Sequence, residues 1–278
     1  MADDPKYFTW YELITTDVTG AADFYREVVG WGTREASTAK LPYKLFATRE
    51  TPTAGLMELP EEGRRMGARP RWVGYLGVKD VPATVNQIKG LGGAVYVPPT
   101  DTNIGLISVV ADPCAATFAL IDRPDPPAMS GKTGRIGWHE LLAADLAKEL
   151  AFYCQLFGWQ RSDDNPVEGY QAFSAGGQVI GGAFRKRPDE PVPFWLFYFN
   201  VDDLDVAVER VVAGGGKAFR NELFDDVSVA RCVDPQGAAF ALQGRRGHAA
   251  KVGWSTRWQG FSSRGQLVAP KPRSGSET

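Results

Sequence analysis

The stretch W-Y-E-L-I-T-T-D, Trp10 to Asp17, mixes aromatic, apolar and carboxylate residues with the alternation of a half-buried strand. It closes on an aspartate, and Ala21, Phe24, Tyr25 and Val28 then share one face at helical spacing before a stop at Gly30. Shorter apolar runs after Gly30 predict strands. The same order recurs from Y-L-G-V-K-D-V onward: a strand, Asp80 and Val81 at a helix start, an amphipathic stretch, and a stop at Gly92. Asp145 with Leu146 and Asp203 with Leu204 mark two more such starts, and Gly158 a further stop. In the last of these helices Val206, Val208, Val211 and Val212 are the expected apolar face. The pattern predicts four β-α-β-β-β units.

The units fall into two matched halves. Trp10, Glu12, Leu13, Asp17, Phe24, Tyr25, Gly30 and Trp31 reappear 128 residues later as Trp138, Glu140, Leu141, Asp145, Phe152, Tyr153, Gly158 and Trp159. With small gaps, Tyr43 and Phe46 answer Tyr170 and Phe173, and Trp72, Tyr75 and Val78 answer Trp195, Tyr198 and Val201. D-P-C-A-A-T-F-A-L (Asp112 to Leu120) answers D-P-Q-G-A-A-F-A-L (Asp234 to Leu242). The expected domains are residues 1–125 and 135–245, joined by a Pro/Gly-rich linker at 126–134. A basic tail at 246–278, rich in Gly and Ser, is expected to be partly disordered.

Length, charge and cysteine usage narrow the class. At 278 residues the chain has room for two ordinary domains, and 44% hydrophobic residues suffice for packed cores. A net charge of −2 asks for no nucleic acid, and no apolar run is long enough for a membrane span. The acidic start is unlike a secretory signal, and three cysteines without C-x-x-C spacing read as free, buried thiols in a reducing, cytoplasmic setting.

The W-x-E-L-x-x-x-D opening, the F-Y pair, the following G-W and the closing D-P-x-G-A-x-F-A-L resemble the glyoxalase/bleomycin-resistance/dioxygenase superfamily, also called vicinal oxygen chelate. The tandem form is similar to its CFP30B-like glyoxalase-related branch. The resemblance covers about residues 7–245 and implies an α+β fold, with βαβββ units whose curved mixed sheets surround cavities. It also implies a divalent metal held by His, Glu or Gln on the cavity face. The corresponding positions here fall near Trp10, Glu58, Val73 and Ala119, and near Trp138, Arg185, Leu196 and Ala241. Glu58 alone among them could bind a cation, and both it and Arg185 read as solvated. Of the two histidines, His248 lies in the tail and His139 has the wrong strand parity. No metal and no other cofactor is therefore expected.

Glu12 and Glu140 remain, each in the middle of an apolar strand. A buried carboxylate is costly unless something pairs with it. With Leu13 toward the helix, Glu12 shares the cavity face with Trp10, and Tyr75 and Tyr198 sit at matching positions of the second and fourth units. Trp10, Tyr75, Trp138 and Tyr198 are the expected ligand-binding residues. Two roles for the glutamates stay open: lining a ligand site, or accepting hydrogen bonds that lock sheet register. The corresponding functions are binding of a small organic molecule, by a monomer or homodimer, or a lyase or isomerase using Glu12 or Glu140 as general base. A third class is an interaction protein contacting its partner through the basic tail.

Overall fold

The computed structural model describes residues 6–39, 41–123, 133–163, 168–222 and 228–245. The tail, with His248, and most of the linker lie outside the described residues. The first half runs β1 (Phe8–Thr15), α1 (Val18–Val29), β2 (Gly32–Glu35), β3 (Lys44–Thr48), β4 (Thr51–Glu58), the short α2 (Glu61–Arg65), β5 (Arg71–Gly77), α3 (Val81–Gly90), β6 (Ala94–Thr102), β7 (Gly105–Ala111) and β8 (Thr117–Ile121). The second runs β9 (Ile136–Ala143), α4 (Leu146–Phe157), β10 (Gln160–Arg161), β11 (Tyr170–Ala175), β12 (Gln178–Arg185), β13 (Phe194–Asp203), α5 (Leu204–Ala213), β14 (Lys217–Glu222), β15 (Ser228–Val233) and β16 (Ala239–Arg245). This is the four-unit α+β fold that the pattern predicts, with α2 as an addition.

The helix starts share one chemistry. Asp17, Asp80, Asp145 and Asp203 each sit in extended backbone and accept a hydrogen bond from an N–H of the first turn. The apolar face of α1 is buried as expected, through Ala21, Ala22, Phe24, Tyr25, Val28 and Val29. In α5 the expected face is corrected: Leu204, Ala207, Val208 and Val211 are buried, whereas Val206 and Val212 are exposed. At about 100° per residue, 204, 207/208 and 211 form the continuous stripe, and 206 and 212 flank it. The cysteine expectation also needs correcting. All three thiols are free, yet only Cys232 is buried; Cys114 and Cys154 are half-buried, Cys114 because it lies in a turn and not in a strand.

Each half forms one open, eight-stranded mixed sheet, in the order β2-β3-β4-β1-β5-β8-β7-β6 and β10-β11-β12-β9-β13-β16-β15-β14. The two units of a half meet at the antiparallel pair β1/β5 or β9/β13. One hydrophobic core runs through both halves and takes in Trp31, Trp72, Phe118, Tyr153, Trp159, Trp195 and Phe199 with the buried faces of the helices. The sheets thus pack back to back. At Gly74 a Cβ would come within 2.6 Å of the Phe197 ring and 2.7 Å of Phe8, so the close crossing of β5 and β13 requires glycine.

Polar contacts across this interface obey the repeat. Trp31 Nε1 donates to Gly134 O at 2.8 Å, and Trp159 Nε1 to Lys6 O at 2.8 Å. Tyr25 donates to Asp234 at 3.2 Å and Tyr153 to Asp112 at 3.1 Å, while each aspartate's other oxygen accepts N–H groups of its own D-P turn. The D-P motif is therefore a structural clasp. At its centre Tyr11 meets its own repeat position: its hydroxyl donates to His139 Nε2 at 2.6 Å, and His139 Nδ1 donates to Ile180 O at 2.6 Å. Burial lowers the imidazole to about 4, so it is neutral, as the acceptor role requires. Among the described residues no helix is long and apolar enough to cross a membrane.

Candidate functional site

The sheet faces turned away from the helices carry two small side-chain clusters of their own. In the first half Val73, Tyr75, Ile107, Ala119 and Ile121 pack with the half-buried Trp10, Ile14, Ile104 and Val109. In the second, Leu196, Tyr198, Val229 and Ala241 pack with the half-buried Trp138, Phe194 and Ala239. Strand alternation assigns the faces: Leu13 and Leu141 enter the main core, and Glu12 and Glu140 point the other way. The expected site residues Trp10, Glu12 and Tyr75 come together in the first sheet, and Trp138, Glu140 and Tyr198 in the second.

Register explains the arrangement. Trp10 lies opposite Tyr75, Tyr75 beside Ala119, and Ala119 opposite Val109, giving a row across four strands. The second half repeats it as Trp138, Tyr198, Ala241 and Arg231. The Tyr75 hydroxyl donates to Glu12 Oε2 at 2.6 Å, and the Tyr198 hydroxyl to Glu140 Oε2 at 2.9 Å. A second tyrosine completes each cluster: Trp10 Nε1 donates to the Tyr43 hydroxyl at 3.3 Å, and Trp138 Nε1 to that of Tyr170 at 2.9 Å. These tyrosines are seated over Gly55 and Gly182, the parallel-strand partners of Glu12 and Glu140, where any Cβ would collide with the hydroxyl. Glu12 and Glu140 are 3% and 1% exposed, so the half-buried tryptophans form the accessible layer above them.

Electrostatics separates the halves. Burial raises the Glu12 carboxyl above its ordinary value, and hydrogen bonds from Tyr75 and Tyr43 pull it only partly back. Burial likewise holds Tyr75 and Tyr198 well above the ordinary phenol value, keeping both as neutral donors. Glu140 has a cation instead: Arg231 Nη2 donates to Glu140 Oε2 at 2.7 Å, with side chains 19% and 1% exposed. Burial alone would lower the Arg231 guanidinium, but Glu140 and Tyr198 outweigh it and its value rises. Arg71, opposite Ile14 on the first site's face, has no counterpart in the second half, where Phe194 takes the position.

Sequence reasoning paired Tyr43 with Tyr170 without giving either a role, and it passed over Arg231. The signal for Arg231 was present: extending the matched D-P segments back by three residues aligns Val109 with Arg231, an apolar residue with a charged one.

The positions that the resemblance assigns to metal ligands do not form a donor set. Glu58 ends β4 with its carboxylate largely exposed and paired to Arg64 at 2.5 Å, and Arg185 is exposed. Val73, Ala119, Leu196 and Ala241 are buried apolar residues. Among the described residues no group of three His, Cys, Asp or Glu side chains could hold a metal ion. A divalent cation does not fit these residues.

The model of the Glyoxalase/Bleomycin resistance protein/Dioxygenase superfamily matches residues 7–120 and 135–242. CFP32 of Mycobacterium tuberculosis (strain CDC 1551 / Oshkosh), named as a glyoxylase, is 32% identical over 244 residues, covering 84% of this chain and 92% of the relative. The anthracycline biosynthesis protein DnrV of Streptomyces peucetius is 28% identical, covering 88% and 95%. Among solved structures, the Mn(II)-bound glyoxalase from Novosphingobium aromaticivorans superposes with a TM-score of 0.56 at 14% identity, covering 84% of this chain and 80% of its own. The 2,3-dioxygenase LapB from Pseudomonas sp. KL28 gives 0.58 at 12% identity, covering 92% and 96%. At these identities the structural likeness concerns the fold.

Proposed function

The chain belongs to the Glyoxalase/Bleomycin resistance protein/Dioxygenase superfamily, and on that premise we propose that it binds a flat, hydrogen-bonding organic molecule on the helix-free faces of its sheets, without a resident metal ion. The observation that carries this reading is the duplicated cluster of Trp10, Tyr43, Glu12 and Tyr75, repeated as Trp138, Tyr170, Glu140 and Tyr198. Each offers a half-buried indole as a stacking surface over a buried, pre-oriented set of hydroxyl and carboxyl groups. A buried carboxylate has two oxygens to satisfy, which Tyr75 with Tyr43, or Tyr198 with Arg231, can do; the half-buried tryptophan beside each cluster lies outside that need. The name of the relative DnrV, from anthracycline biosynthesis, points to a polycyclic aromatic ligand class. Free thiols suit a cytoplasmic setting.

One observation supports a second reading. The upward-shifted Glu12 carboxyl has the character of a general base tuned toward neutral pH, for a lyase or isomerase reaction. Glu140 is instead held in an ion pair with Arg231.

Calorimetric titration of the chelator-treated full chain with 1,8-dihydroxyanthraquinone tests the binding reading. Binding that persists without added metal, and weakens in Trp10→Ala or Trp138→Ala, is expected. Binding that appears only with a divalent ion, or ignores both tryptophans, would overturn it.

A further inference from the structure

Resting on that binding reading and deepening it, we infer that Arg231 makes the second half's site selective for a ligand carrying an anionic oxygen, a carboxylate or an ionised hydroxyl. The corresponding residue of the first half, Val109, supplies no such selection. The two residues stand at one position of the repeat, opposite Ala119 and Ala241 in identical register. In the second half the small, buried Ala241 lies between Arg231 and Tyr198 in the row, and the guanidinium reaches Glu140 Oε2, the oxygen that also accepts from Tyr198.

That contact uses Nη2. The Arg231 Nε–H is buried and has no hydrogen-bond partner among the described residues, as is also true of the Arg71 Nε–H on the first half's face. A buried donor on a charged group is costly to leave unmade, and native structures rarely leave one without a reason. Nε and Nη2 lie along one edge of the planar guanidinium, which is shaped for two oxygens. Glu140 fills half of that edge and fixes the side chain; the other half lacks an acceptor among the described residues. Charge balance does not supply one, since Glu140 already neutralises the cation. What is missing is an acceptor, and an anionic oxygen makes the strongest hydrogen bond to a guanidinium. Arg231 and Trp138 keep partial exposure while Glu140 and Tyr198 are buried. A bound ring over Trp138 would therefore meet Arg231 with its oxygen.

The test compares 2-naphthoate with 2-naphthamide on the full chain, reading the indole N–H resonances of Trp10 and Trp138, assigned through Trp10→Phe and Trp138→Phe. At Trp138 naphthoate is expected to bind about tenfold or more tightly than naphthamide. Arg231→Val, which rebuilds the first half's arrangement of valine beside a buried glutamate, should abolish the preference. Val109→Arg should create a preference at Trp10, and this arm decides the matter should Arg231→Val not fold. A wild-type preference below about twofold, one that survives Arg231→Val, or a Val109→Arg chain without gain would overturn the inference while leaving ligand binding intact. If neither probe shifts either indole, the inference and the binding reading fall together.

Discussion

Replacing each buried glutamate by glutamine should hurt the two halves unequally. In Glu140→Gln the amide oxygen can keep the position of Oε2 and still accept from Tyr198 and Arg231. What disappears is the negative charge beside a guanidinium whose side chain is only 19% exposed. Breaking a fully buried ion pair typically costs about 3–5 kcal/mol; with both hydrogen bonds retained and some solvent access, roughly 2–3 kcal/mol is expected here. In Glu12→Gln there is no such cation to strand: the amide oxygen accepts from Tyr75, and the amide hydrogens can meet the Tyr43 hydroxyl. Burial already disfavours the charge there, so the cost should stay below about 1 kcal/mol. Because one core spans both halves, a single thermal transition is expected. At about 2–4 °C per kcal/mol, Glu140→Gln should lower Tm by about 5–10 °C and Glu12→Gln by less than about 4 °C. Differential scanning calorimetry at pH 7 checks this. Equal losses, or a larger loss in Glu12→Gln, would refute the assignment of the ion pair as the feature that distinguishes the halves.

Further outcomes follow from the interface and the turns. Ala115 has φ 79° where its counterpart Gly237 has φ 104°; Ala115→Gly should stabilise by about 1 kcal/mol in urea unfolding, and Gly237→Ala should destabilise by a similar amount. Glu149, fully buried beside Asp112, is raised by burial from 4.5 to about 7. A raised folded-state value stabilises below the ordinary carboxyl range and is lost as pH rises through about 7, by up to about 3 kcal/mol, so Glu149→Gln should flatten the stability profile between pH 5 and 8. His139 behaves oppositely: lowered from 6.5 to about 4, it contributes stability above the ordinary imidazole value that is lost as pH falls toward 4. Tyr11→Phe, which strips the Nε2 of its donor, should cost about 1–3 kcal/mol at neutral pH, measured by urea unfolding.

The fold was legible because its signals are local and written twice. An aspartate before an amphipathic run states a capped helix in the sequence itself, and all four such aspartates cap one. The gapless match from Trp10 to Trp31 with Trp138 to Trp159 carries the duplication. Strand parity placed Glu12 with Trp10, and the repeat placed Tyr75 and Tyr198. Contacts that depend on three dimensions were harder to read. The reach of Arg231 to Glu140 passes from β15 to β9, across two intervening strands, over an alanine whose smallness has meaning only in register. The roles of Tyr43 and Tyr170 depend on glycines in neighbouring strands. Val206 and Val212 misled because valine at a stripe's margin matches a loose apolar count without facing the core. The back-to-back packing, with each half's tryptophan holding the other half's lead-in segment, has no signature in either half alone.

The proposed ligand sites lie on the helix-free sheet faces and need no metal. A crystal structure of the full chain, dialysed against chelator and soaked with 1,8-dihydroxyanthraquinone, tests this most directly. Density for the ring system is expected against Trp10 or Trp138, with its oxygens toward the Glu12–Tyr75 or Glu140–Tyr198–Arg231 groups and no ion between ligand and protein. Density in the groove between α1 and α5 lined by Asp23, Phe24, Glu27 and Arg210, or a ligand seated only through an added divalent ion, would contradict the proposal.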